Sequence, residues 1–184
     1  IRGEMMKNEA IIDAIYARRS IRKFTDEAVS DEHIDILLKA AMAAPSATNA
    51  QPWRFVVTRD PKRLAAIRKE MPAGKINAPL AILVCADLTI FKRPITERFW
   101  TQDCSAATQN ILLAAVGLGL GTVWCGVHPV PLIEKRMEKL LDLPANVKVL
   151  NVIYIGHPAE EKEARTQYDP NKVFKDRYGE PWQD

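Results

Sequence analysis

The chain has few cysteines, no long apolar stretch and almost no charge imbalance. Three cysteines among 184 residues make no disulfide framework, and the odd count leaves one unpaired in any scheme. That usage fits a reducing compartment, so a cytoplasmic protein is expected. The longest nearly apolar run, Ile111–Gly121, falls short of the roughly 20 residues a membrane helix needs. Ile1-Arg2-Gly3-Glu4-Met5-Met6 holds no apolar signal-peptide core. Residues 1–4 read as an appended remnant ahead of a natural start at Met5 or Met6.

Lys and Arg number 26 against 23 Asp and Glu, a formal net charge of +3, with both signs spread along the chain. Proteins that grip nucleic acid through many phosphates carry a larger or more clustered excess, so no nucleic-acid partner is expected. The three histidines, His33, His128 and His157, share no ligand spacing with each other or with the cysteines, and no metal site is expected. The sequence also lacks a Gly-x-Ser-x-Gly elbow and a Walker lysine, which argues against hydrolase and P-loop chemistry.

What remains is an ordinary globular composition, 47% hydrophobic and 27% charged. A chain of this length buries about 70% of its unfolded surface without metal or disulfide. Residues 5–184 are therefore read as one domain. Helices are expected over Glu9–Tyr16, from the Ser30 cap to before Pro45, over Pro61 to about Met71, over about Arg98–Leu118, and over Pro131 to about Leu141. Strands are expected at Trp53–Thr58, Pro79–Ala86, Thr122–Gly126 and Val147–Gly156. Pro79–Ala86 is apolar at nearly every position, as in a strand buried on both faces. Mixed helices and strands make an α+β, three-layer α/β/α domain. Beyond Pro158 the chain is charged and aperiodic yet carries Tyr168, Val173, Phe174, Tyr178 and Trp182. Such a segment cannot form its own core; residues 160–184 are read as an arm whose aromatics dock on another surface, a second copy of the chain being the natural candidate.

Two segments stand out chemically. Arg18-Arg19-Ser20-Ile21-Arg22 offers forked cationic donors and a hydroxyl that suit a phosphate; it equally suits a solvated basic turn at a helix C-terminus. Pro45-Ser46-Ala47-Thr48-Asn49-Ala50-Gln51-Pro52 holds two hydroxyls and two amides between prolines, fit for a ligand of mixed donors and acceptors or for an Asx-type turn. The glycines from Gly117 to Gly126 follow a helix and precede a strand, the reverse of the dinucleotide-binding order. They read as a helix cap and a strand whose small residues, Gly126 above all, admit a flat ring. Cys125 has no base near it in sequence that would make it a nucleophile.

The chain resembles the nitroreductase family of FMN-dependent oxidoreductases. The resemblance rests on Arg18-Arg19-Ser20-Ile21-Arg22-Lys23-Phe24, on Pro45–Phe55, on Asp103…Ala106-Ala107-x-Gln109-Asn110-x-Leu112-Leu113-Ala114-Ala115 running into Gly-Leu-Gly, on Trp124-Cys125-Gly126, and on Tyr154-Ile155-Gly156-His157-Pro158. It implies an intertwined homodimer built on a central mixed, mainly antiparallel sheet, with FMN at the subunit interface and the C-terminal arm crossing to the partner. Arg18, Arg19 and Ser20 would hold the phosphate and ribityl chain, with Arg165 as a further cation. Arg22 would lie by the pyrimidine edge, where a cation stabilises reduced flavin. Pro45, Ser46 and Asn49, with Gln51, would come from the other subunit. Cys125 and Gly126 would pass the reactive N5 edge.

The implied reaction is ping-pong: NADH or NADPH gives hydride to flavin N5, and a small acceptor such as a nitroaromatic or quinone then takes the electrons. No side chain need act as catalytic acid or base. The readings kept beside it are another flavin reaction on the same fold (dehalogenation, flavin cleavage or oxidation) and a non-catalytic FMN- or anion-binding dimer.

Overall fold

A computed structural model describes residues 9–72 and 76–182; the proposed N-terminal remnant lies outside them. Its elements are α1 (Glu9–Ala17), α2 (Asp31–Met42), β1 (Trp53–Thr58), α3 (Pro61–Glu70), β2 (Leu80–Asp87), α4 (Pro94–Glu97), α5 (Trp100–Gly117), β3 (Gly121–Gly126), α6 (Pro131–Leu140) and β4 (Val147–Gly156). The helix starts follow local chemistry. The Ser30 hydroxyl accepts from the His33 N–H, and the Asp60 carboxylate accepts from the Arg63 N–H, ahead of Pro61 in the first turn.

The four strands form one sheet in the order β1-β2-β4-β3. Every strand pair is antiparallel, in keeping with the mainly antiparallel sheet expected. Among the described residues the parallel component is reduced to a single bridge, Ser20 to Thr122, beside edge strand β3. Segment 18–24 contributes a few extended residues there instead of a strand.

Strand β2 explains the three layers. Its side chains alternate: Leu80, Ile82, Val84 and Ala86 join the core under α2 and α5, while Ala81, Leu83 and Cys85 join the core under α3 and α6. All seven are fully buried. A strand with helices on both sides has no face left for polar residues, hence the unbroken apolar run. Strand β4 divides in the same way, with Leu150, Ile153 and Ile155 on one side and Val149, Val152 and Tyr154 on the other.

Helix α5 buries Asp103, Cys104, Ala107, Thr108, Ile111, Leu112 and Ala115. Thr108 bonds back to the Cys104 carbonyl at 2.8 Å and receives the Asn151 amide at 2.9 Å, fixing helix to sheet. By contrast α1 buries nothing: Ile11, Ile12, Ile15 and Tyr16 remain exposed. The tail is also open, with Tyr178 at 93% and Tyr168 at 63% exposure. No described helix is long and apolar enough to cross a membrane.

Candidate active site

The basic segment is stitched onto the sheet immediately after α1. Ile21 N–H donates to the Thr122 carbonyl at 2.8 Å, Thr25 N–H to His157 at 2.9 Å, and Ala159 N–H to Lys23 at 2.9 Å. Two glycines make room for this. A Cβ on Gly121 would lie 2.9 Å from Ile21 Cγ2, and one on Gly156 would lie 2.7 Å from Pro79 Cδ and 3.0 Å from Phe24 Cδ1. The glycines of both strand ends are thus packing requirements.

The start of the C-terminal segment packs against the same place. Arg165 N–H donates to the Tyr16 carbonyl at 3.1 Å, and Arg19 Nη1 donates to the Glu163 carbonyl. Arg165 therefore lies alongside the end of α1, next to Arg18 and Arg19. Among the described residues no carboxylate forms an ion pair with Arg18, Arg19, Arg22 or Arg165. Guanidinium groups left without an ion-pair partner are suited to an external anion.

Glu160 is the residue that sequence reading missed here. Its Oε1 accepts from Arg22 N–H at 2.6 Å and from Lys23 N–H at 3.3 Å, and it pairs with Lys162 at 3.2 Å. The Arg22 N–H, aided by Lys162, holds its carboxyl below the usual range. Lys162 Nζ in turn reaches the Ser20 carbonyl at 2.5 Å. A Glu-Glu pair on a loop looks like solvated charge; nothing in its spacing signals that Glu160 braces the basic segment from the far end of the chain.

Cys125 and Gly126 end β3 close to this segment. The Arg22 guanidinium is near enough to lower the Cys125 thiol pKa, although burial dominates and raises it. Gly126 is exposed, and the nearest atom to a Cβ built on it is the His128 carbonyl at 3.8 Å. Among the described residues nothing demands glycine there. The open approach fits a flat group arriving from outside.

The second segment is a strained loop leading into β1. Thr48, Asn49 and Gln51 all have left-handed backbone, with φ of 53°, 55° and 52°. Each such residue costs about 1–3 kcal/mol unless its surroundings hold it, and Thr, being β-branched, resists the most. The loop supplies some of the hold: Gln51 N–H donates to Ser46 Oγ at 3.0 Å and the Gln51 amide to Asn49 Oδ1 at 3.2 Å. The rest comes from α5. Asp103 Oδ1, 56 positions away, accepts from Ala47 N–H at 2.9 Å. Burial raises the Asp103 pKa, partly offset by that bond. Asn49, Gln51 and Pro45 are exposed, and Ser46 is half-buried.

The two segments stand far apart. Ala17, Arg19 and Ile21 share a cavity of about 200 Å³ with Val116, Leu120 and Thr122 at the C-terminal end of α5. The Ser46–Gln51 loop is tied to Asp103 in the first turns of α5. Helix from Asp103 to Val116 is about 20 Å long at about 1.5 Å per residue. The loop also feeds edge strand β1, while Ser20 pairs with the opposite edge strand, β3.

The model of the Nitroreductase family matches residues 15–75 and 72–157. The chain belongs to the nitroreductase family. An Archaeoglobus fulgidus protein described as an NADH dehydrogenase/NAD(P)H nitroreductase is 45% identical over 92% of this chain and 99% of its own. The crystal structure of a protein of the same description from Parabacteroides distasonis superposes with a TM-score of 0.87 at 35% identity, covering 94% of this chain and 100% of that one. A Desulfovibrio desulfuricans protein described as a nitroreductase in complex with FMN gives a TM-score of 0.77 at 36% identity, covering 91% of this chain and 97% of the other. The nitroreductase fold of these neighbours is the three-layer arrangement described above. Of the residues the resemblance pointed to, Arg18, Arg19, Ser20, Arg22, Arg165, Cys125 and Gly126 gather around the α1 end and β3. Pro45, Ser46, Asn49 and Gln51 gather at the opposite end of α5.

Proposed function

We propose that this protein is an FMN-dependent NAD(P)H oxidoreductase of small flat acceptors, acting as a homodimer with each flavin shared between subunits. FMN, once bound, would supply the hydride-transfer chemistry between NAD(P)H and the acceptor. The chain's own residues bind and orient. Arg18, Arg19, Ser20 and Arg165 take the phosphate end; Arg22 sets a positive charge by the ring; Cys125 and Gly126 offer backbone beside an open surface. Pro45, Ser46, Asn49 and Gln51 reach the flavin held by the partner's basic segment. No acid–base pair is needed, because the cofactor carries the chemistry.

The observation that carries the shared site is the separation of the two segments along α5. One chain holds them at opposite ends of a helix and beside opposite edges of a sheet. A second copy facing the first would bring the loop of one to the basic segment of the other. The exposed Ile11, Ile12, Ile15 and Tyr16 face of α1 and the open arm aromatics support an extensive contact of this kind. Within the expected arm of residues 160–184, residues 160–165 pack on their own chain's basic segment; we assign the part beyond Arg165 to docking on the partner.

Subunit complementation tests this reading. An Arg18→Ala/Arg19→Ala chain and a Ser46→Ala/Asn49→Ala chain should each lose NAD(P)H-dependent reductase activity. A mixture refolded together should regain activity, since one of the two sites in a mixed dimer receives both intact halves. A mixture no more active than its parents would show that the site lies within one chain.

A further inference from the structure

We propose that Asp103 is a positioning residue for the flavin: it latches the Pro45–Pro52 loop in the shape that meets the cofactor, without touching the cofactor. The inference rests on the flavin reading above. Three observations carry it. Asp103 is only 4% exposed, although it belongs to the first turns of a helix that packs on an apolar core. It contributes no cap to its own helix; its Oδ1 spans to the Ala47 N–H. And the residues that follow Ala47 are those in left-handed conformation, Thr48, Asn49 and Gln51.

A carboxylate in an apolar layer is destabilising unless its partners justify it. Asp103 has one bond, while its Oδ2 is buried and meets no donor among the described residues. Fold stability alone would favour a small apolar residue at this position on α5, like its neighbours Cys104 and Ala107. The bond it does make fastens the first residue of a strained turn. Without it, the Ala47 N–H loses its acceptor, and the turn is free to relax to ordinary backbone angles. Asn49 and Gln51 would then no longer point where the intact loop directs them. The strained turn is thus prepaid at folding, which lowers what the loop must lose on binding.

The test compares three variants by FMN affinity, measured from the fluorescence of released flavin. Asp103→Ala removes the acceptor and should raise the FMN Kd at least tenfold. Asp103→Asn keeps an acceptor oxygen and should stay within threefold of wild type. Ala47→Pro removes the donor and leaves the carboxylate. Ser46 is already extended, as a residue before proline must be, and Ala47 stands ahead of the left-handed Thr48 in a turn closed by Asn49 N–H on the Ser46 carbonyl, a position where proline fits. Ala47→Pro should therefore weaken FMN about as much as Asp103→Ala, even if Asp103→Ala proves unable to fold. A residue important only for packing would lower the melting temperature without changing the Kd of the folded protein. Wild-type affinity in Ala47→Pro, or equal losses in Asp103→Asn and Asp103→Ala, would overturn the latch. Should the wild-type chain bind no FMN at all, the flavin reading fails by itself. The latch would then stand or fall on amide exchange of residues 46–51, which should accelerate in Asp103→Ala and not in Asp103→Asn.

Discussion

Ile21 occupies the space where a side chain on Gly121 would be. The 2.9 Å that would separate a Gly121 Cβ from Ile21 Cγ2 is too close for either to stay in place, and Ile21 is buried and β-branched, so it cannot swing aside cheaply. This contact seats the basic segment on β3. Gly121→Ala should destabilise the protein by about 1–3 kcal/mol, or a melting shift of about 2–4 °C per kcal/mol for a domain of this size. Bound flavin should weaken with it. A variant with unchanged melting and FMN content would mean that the segment is seated some other way.

Gly126→Val makes the opposite test. Only the His128 carbonyl, at 3.8 Å, comes near a Cβ there, so the fold should tolerate the change with a shift under about 1 kcal/mol, as at a surface site. In the proposed site the flavin lies against this position. FMN affinity or the rate of flavin reduction by NAD(P)H should therefore fall at least tenfold in Gly126→Val. Melting and reduction rates read on the same preparation decide the matter; a stable variant that reduces its flavin normally would remove Gly126 from the site.

Glu160 gives a pH dependence with a definite sign. Its carboxyl, ordinarily near 4.5, is lowered in the folded chain by the Arg22 N–H and Lys162. A group depressed on folding adds stability above its unfolded pKa and loses it as pH falls through the folded value. Glu160→Gln should therefore melt lower than wild type near neutrality. The gap should shrink as the pH drops below about 4.5. The effect is modest, because the group is partly solvated. Melting curves of both proteins across that range supply the check, and a gap that persists in acid would contradict the bracing role.

The thiols should be unreactive in the native protein. Burial pushes Cys85 and Cys104 up to about 12, and burial raises Cys125 as well despite Arg22. Thiolate is the reactive form. Iodoacetamide at pH 8 should leave all three unlabelled until denaturant is added. Rapid labelling of Cys125 in the folded protein would show it to be more accessible than the packing allows.

Much of this was legible in the residues because short-range physics dictated it. The caps at Ser30 and Asp60, the proline that opens each of several helices and the apolar run of β2 all announce themselves locally. The two candidate segments were also visible as residues, but each suited an ordinary turn as well as a ligand, and the family resemblance chose between the two. What escaped was long-range. The connection of Glu160 to Arg22 spans 138 positions and that of Asp103 to Ala47 spans 56; neither acid differs in sequence from a solvated surface charge. The mainly antiparallel sheet was also expected, and its parallel component is the Ser20–Thr122 bridge. The long helix begins at Trp100 and not Arg98, as the connector before it forms its own short turn, α4.

The absorption spectrum of the purified protein, recorded before and after anaerobic addition of NADPH or NADH, is the most direct test of bound, reducible flavin. Bound-flavin bands that bleach on addition are the predicted result. Absence of flavin bands even after incubation with FMN, or bands that neither nucleotide bleaches, would contradict it.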